Sequence, residues 1–150
     1  MSNAWDTTLR LLGRRDHSMT ELQQKLKQRK FSSEEIHEAL ERCQELSLQS
    51  DERFVESFTR TRIRQGYGPV KIIQELIARG VNREVIHRSL NEEKPDWAHY
   101  ATAVLQKRNK SKAPWSREEL QKQQRFLLYR GFDQETITQV TKAWQLAMKE

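Results

Sequence analysis

Apolar residues recur every three or four positions along the chain, as in Leu22 and Leu26, in Ile36, Ala39, Leu40 and Cys43, and in Ile72, Ile73, Leu76 and Ile77. That spacing draws one buried stripe along a helix and leaves the rest of its surface polar. Laid against itself at an offset of about 50, the chain repeats: Leu26, Phe31, Ile36 and Leu40 fall on Leu76, Val81, Ile86 and Leu90. One residue further on, Leu127, Phe132 and Ile137 take the first three places. Gly80 and Gly131 stand where a helix closes with a residue at positive φ, and Lys30 takes that place in the first copy. A helix cap follows each closure: Ser32 or Ser33 with Glu35, Asn82 ahead of Val85, and Asp133 ahead of Thr136.

Each copy reads as three helices, predicted over Trp5 to Arg15, Ser18 to Arg29 and Ser33 to Leu46 in the first. The second runs over Asp51 to Gln65, Pro69 to Arg79 and Asn82 to Asn91, and the third over Trp97 to Lys107, Ser116 to Tyr129 and Asp133 to Met148. Pro69 after Gly66-Tyr67-Gly68 is a strong start, because a first helical position has no use for the N–H that proline lacks. The expected fold is all-α, with three tandem three-helix repeats over 1–48, 49–94 and 95–150. Units this small bury too little surface to stand alone, so neighbours support one another in an elongated, curved array of helix-turn-helix-like units.

Composition agrees with helices. Of the 150 residues 35% are hydrophobic and 32% charged, which gives a thin core, and five Gly with three Pro are too few for a turn-rich β sandwich. Cys43, the single cysteine, cannot form an internal disulfide and continues the core stripe of its helix. With no secretory leader and no run of 18 apolar residues, a cytoplasmic chain without membrane contact is expected. Ser2-Asn3-Ala4 reads as a cloning remnant.

The motifs of phosphate hydrolysis, zinc chemistry and serine hydrolysis are absent, so a non-enzymatic protein without cofactor or metal is expected. His37 and His87 hold equivalent places in two copies, but the third has Thr138 there, and no second ligand lies at helical spacing.

Charge is the informative feature. The net charge is +6, and successive thirds hold 8 basic and 8 acidic, 9 and 8, and 10 and 5 residues, so the excess lies in the last third. There Lys107, Arg108, Lys110 and Lys112 bracket a loop, and Arg117, Lys122, Arg125 and Arg130 continue through the next helix. On the fourth helix Arg53, Arg60 and Arg64 share a face, with Phe54, Phe58 and Thr61 on an adjoining buried face. Arg62, Tyr67, Lys71 and Arg79 lie beside that row, a set able to hold phosphates or acidic side chains. Tyr67 can stack on a base or simply pack on its neighbour. The four tryptophans Trp5, Trp97, Trp115 and Trp144 read mostly as packing residues, with Trp115 beside Pro114 the one expected at the surface. No long apolar stripe asks for a second copy, and a monomer is expected.

Three ordered stretches carry a family resemblance. They are Arg15-Asp16-His17-Ser18 with Glu21-Leu22 and Lys25-Leu26; Asp51-Glu52-Arg53-Phe54-Val55 with Arg64-Gln65-Gly66-Tyr67-Gly68-Pro69; and Gln124-Arg125-Phe126-Leu127-Leu128-Tyr129-Arg130-Gly131-Phe132. Nearly the whole chain resembles the bacterial RecX regulatory proteins, which restrain the RecA recombinase. The resemblance implies tandem three-helix units lying along the RecA filament on single-stranded DNA, reducing its ATP hydrolysis, strand exchange and repressor cleavage. It also implies Arg64, Gly66, Tyr67, Gly68, Pro69, Arg125 and Arg130 as a contact surface; weak, sequence-independent DNA binding fits this reading and a direct DNA reader alike.

A different class of function is a sequence-specific helix-turn-helix reader of DNA. The helices that begin near Asn82 and Asp133 expose Arg83, Glu84, Gln134 and Glu135, a mixed set with little positive excess, which disfavours it.

Overall fold

A computed structural model describes residues 3–110 and 113–149. Those residues form nine helices and no strand: α1 Ala4–Arg14, α2 Met19–Gln28, α3 Ser33–Glu45, α4 Asp51–Arg64, α5 Pro69–Ala78, α6 Arg83–Glu93, α7 Trp97–Arg108, α8 Arg117–Tyr129 and α9 Gln134–Lys149. Every end lies within two residues of its expected place, because the stop and start signals are local. The turns that close α2, α5 and α8 are the same: Phe31 N–H donates to Leu26 O, Val81 to Leu76 and Phe132 to Leu127, at 3.1–3.3 Å. Lys30, Gly80 and Gly131 supply the positive φ at 65°, 83° and 96°. The caps hold as well. Ser32 and Glu35 form a reciprocal capping box, Asp133 Oδ1 accepts from Thr136 N–H at 2.8 Å, and Asn82 Oδ1 accepts from Glu84 N–H at 2.7 Å.

Asn3 and Ala4 belong to the fold rather than trailing from it. Asn3 caps α1 by accepting from Asp6 N–H at 2.8 Å, and Ala4 is buried beside Leu26, Ile36 and Ala39.

The chain forms two compact units, Met1–Phe58 with Glu75–Glu93 and Thr59–Gln74 with Lys94–Glu150. Two of the three borders fall inside α4 and α5, so each of these helices gives residues to both units, and the third follows the end of α6. In α4 the border coincides with one departure from the expected stripe. Phe54 and Val55 are buried in the first unit, but Thr61, one full stripe period on and past the border, is exposed. The buried hydroxyl there is Thr59.

In the first unit the core holds Leu26, Ile36 and Ala39 with Phe31 and Leu40 against it. The second unit's core is larger and includes Leu105, Leu127, Phe132, Ile137 and Trp144. Trp115 packs there, stacked on Trp144 with centroids 5.1 Å apart and planes 6° from parallel. Gln145 clamps its backbone, accepting from Trp115 N–H at 2.8 Å and donating to Trp115 O at 2.9 Å. The surface tryptophan expected from the sequence is therefore half-buried, since a flat ring gains more by stacking than a basic loop gains by displaying it. Cys43 is fully buried, and burial pushes its thiol pKa up.

Candidate functional site

Each unit contains one junction in which the start of a repeat's second helix meets the close of the next repeat's second helix. In the first unit, Ser18 Oγ donates to Arg79 O at 2.7 Å and Thr20 Oγ1 to Gly80 O at 3.4 Å. In the second, Gly68 N–H donates to Arg130 O at 2.9 Å and Val70 N–H to Gly131 O at 2.8 Å. The backbones approach so closely there that a Cβ on Gly68 would stand 2.6 Å from Gly131 O and Phe132 N. Gly131 is equally confined, since its Cβ would lie 2.7 Å from Lys71 N.

The two junctions share geometry and differ in charge. In the first, Glu21 accepts from Arg15 Nη2 at 3.0 Å, from Arg79 Nη1 at 2.9 Å and from Ser18 N–H at 3.1 Å. Burial pulls the Glu21 carboxyl pKa up, but the Arg15 and Ser18 hydrogen bonds and the charges of Arg15 and Arg79 outweigh it, and the pKa lies below the usual glutamate value. At the equivalent place in the second junction stands Lys71. The place equivalent to the carboxylate that Arg79 meets is therefore held by a cation.

Aromatic rings take up those cations. Lys71 Nζ lies 5.4 Å from the Tyr129 centroid and 4.6 Å from that of Tyr67; the Arg130 guanidinium lies 5.3 Å from Tyr67 and 5.2 Å from Phe126; Arg108 lies 4.0 Å from Phe126. Ring and cation alternate without a break from Tyr129 to Arg108, and Arg62 adds a further cation 5.4 Å from Tyr67. Arg130 is also fixed by donating from Nη1 to Gln65 O at 3.1 Å. Beside the row opens a cavity of about 380 Å³, lined among others by Arg64, Lys107, Arg108, Arg130, Tyr100 and Phe126, with no carboxylate among its lining residues.

Of the residues expected to bind a partner, this arrangement brings together Arg64, Tyr67, Lys71, Lys107, Arg108 and Arg130. Others stand apart. Arg79 is held by Glu21 and lies 4.9 Å from the Phe58 ring, so it serves the first unit's packing. Arg53 donates to Ser47 O at 2.8 Å and covers the end of α3. Arg60, Lys122 and Arg125 are exposed on α4 and α8 outside the cavity, Lys110 borders a separate apolar cavity beside Trp144, and Lys112 lies outside the described residues. His37 is exposed and faces Glu41 at 3.2 Å. Phe126 and Tyr129, which lie in the third resemblance stretch, and Tyr100 are not among the expected site residues. Phe126 and Tyr129 stand three apart on α8, a signal that was available, whereas the pairing of Arg108 with Phe126 exists only in the folded chain.

Known proteins supply the frame for this geometry. Models of the first, second and third three-helix domains of RecX match residues 4–43, 50–90 and 100–141. The chain belongs to the RecX family. Among its RecX relatives, the regulatory protein RecX of Legionella pneumophila (strain Corby) is 50% identical over 142 residues, covering 95% of each chain. That of Pseudomonas entomophila (strain L48) is 43% identical over 131 residues, 87% of this chain and 84% of its own. The crystal structure of RecX from Lactobacillus salivarius superposes with a TM-score of 0.81 over 95% of each chain at 21% identity, which extends the likeness of fold beyond close sequence similarity. Its relatives are named as regulatory proteins.

Proposed function

We propose that this chain is a non-enzymatic regulator that binds the RecA filament on single-stranded DNA and lowers its ATP hydrolysis, strand exchange and coprotease activity. Membership of a family of regulatory proteins supports the class of function. The observation that carries the contact is the uncompensated junction of the second unit, where Lys71 replaces the glutamate that neutralises the equivalent arginine in the first. Cations held beside one another without a carboxylate present a standing site for a polyanion, and a filament of protein on DNA offers phosphates and acidic side chains together. Because such contacts release counterions, affinity falls with salt.

The test is RecA's DNA-dependent ATP hydrolysis, titrated with this protein at two salt concentrations. A fall in hydrolysis at amounts well below those of RecA, weaker at the higher salt, is expected. Unchanged hydrolysis together with a defined footprint on one duplex, in the absence of RecA, would replace this reading with that of a helix-turn-helix DNA reader.

A further inference from the structure

A groove between α7 and α9 of the second unit, about 480 Å³ in volume, shares no lining residue with the basic cavity. Its α9 wall is Val140, Ala143, Trp144, Ala147 and Met148, the spacing of one helical stripe. Val140 and Trp144 belong to the core, whereas Ala143 and Ala147, one turn apart, are exposed and leave the groove open. The first repeat covers the equivalent place itself. Leu26 and Ile36 fall on Leu127 and Ile137, so Arg42 falls on Ala143, and the Arg42 guanidinium bridges α3 to α1 by lying 4.3 Å from the Trp5 ring centroid. The last turn of α9 has no helical counterpart either: α3 ends at Glu45, in the place of Leu146, and α6 at Glu93, in the place of Trp144. Ala147 and Met148 therefore extend the wall past the point where the other repeats stop.

From Val140 to Met148 the wall runs about 12 Å at the rise of a helix, the span of apolar side chains at i, i+4 and i+7 of a second helix laid against it. The small side chains of Ala143 and Ala147 let that helix come close. A small molecule would keep one side in water, whereas pockets for such ligands enclose most of the ligand's surface. Charge selects the kind of helix. On the α7 side Thr102 donates to Ala98 O at 2.8 Å and Asn109 to Leu105 O at 2.9 Å, so both are turned to their own helix. Lys110 is the one charged lining residue; it is exposed, with no ion pair among the described residues, and no carboxylate lines the groove. An acidic helix gains there, while a second copy of this chain, at net charge +6, would bring mostly like charge.

We propose that this groove docks an acidic amphipathic helix of a partner protein, its apolar residues seated on Trp144 and Met148 and a carboxylate at Lys110. This is a contact surface additional to the basic cavity, and apolar burial carries it.

The experiment measures binding of the full chain to a fluorescein-labelled helical peptide of about 18 residues, made of Leu, Ala and Glu with leucines at i, i+4 and i+7. A scrambled peptide of the same composition and one with Lys for Glu are compared, for the unsubstituted protein, Ala143→Arg and Lys110→Glu. Ala143→Arg places in the groove the residue that the first repeat has there, on an exposed helix face, and circular dichroism shows that each variant keeps its helicity. The acidic helix is expected to bind at least about tenfold more tightly than the scrambled peptide, and Ala143→Arg to lose at least about tenfold of that affinity. Lys110→Glu should lose about threefold, the range of one exposed ion pair. Equal binding of the scrambled or the lysine peptide overturns the inference, as does binding by folded Ala143→Arg within about twofold of the unsubstituted protein. Sedimentation of the protein alone adds a last outcome: a dimer that Ala143→Arg dissociates would give the groove to a second copy of the chain and overturn the acidic partner.

Discussion

Arg79 donates from Nη1 to Glu21 at 2.9 Å, which ties the close of α5 to the first turn of α2 within the first unit. Glu21 also accepts from Arg15 and from Ser18 N–H, so one carboxylate completes a capping box and holds two arginines. Glu21→Gln keeps the shape but weakens every one of these bonds. The variant should lose about 1–2 kcal/mol of stability, the low end for a buried charged partner because Arg15 and Arg79 still reach water. Urea unfolding of the two proteins side by side checks it.

His17 makes stability fall on mild acidification. It is buried, with Nδ1 3.0 Å from Arg15 O and Nε2 3.2 Å from Lys25 Nζ, an arrangement that suits a neutral ring donating from Nδ1 and accepting at Nε2. Burial, aided by the Arg15 and Lys25 charges and opposed by the Arg15 carbonyl and Glu21, holds its pKa below the usual value. The unfolded chain therefore takes up the proton first. The contribution is fully present above about pH 6.5 and is lost as the pH falls toward the lowered folded value. Glu21, whose pKa is also lowered, adds a second loss below about pH 4.3. Melting temperatures between pH 7.5 and 5 should decline for the natural chain and decline less for His17→Asn, whose amide can replace the bond to Arg15 O.

Three glycines separate close approach from idle space. Gly68→Ala and Gly131→Ala each drive a methyl group into backbone at 2.6–2.7 Å, and Gly131 is at positive φ as well. Each should cost about 2–4 kcal/mol. Gly13 lies within α1 with nothing within 4 Å of its Cβ position, so Gly13→Ala should raise stability by about 0.5–1 kcal/mol. Thermal melts of the three variants decide the order.

Reversing charge in the second unit should separate binding from folding. Lys71→Glu gives Arg130 the kind of partner that Glu21 gives Arg79, closing the junction on itself. Inhibition of RecA ATP hydrolysis should then require roughly tenfold more protein, about 1.4 kcal/mol, with helicity unchanged. Arg60→Glu with Arg64→Glu should act in the same direction, since both side chains are exposed. Full inhibition by these folded variants would remove this face from the contact.

By itself the sequence determined the helices, their closures and the repeat. Those features depend on residues three to six apart: the Leu26, Leu76 and Leu127 turns close through Lys30, Gly80 and Gly131, whose backbone needs can be read locally. It also located the cationic excess and marked Arg64, Tyr67, Lys71 and Arg130. Only the tertiary structure decided which cations pair with a carboxylate and which lie against aromatic rings. Arg79 and Arg130 stand at equivalent places in the repeat, yet one meets a carboxylate 58 residues away and the other meets Tyr67 and Phe126. Likewise Trp115 lies in a basic loop and finds its stacking partner on α9. A side chain's charge is set by its type, but its partner is set by which distant helix packs against it.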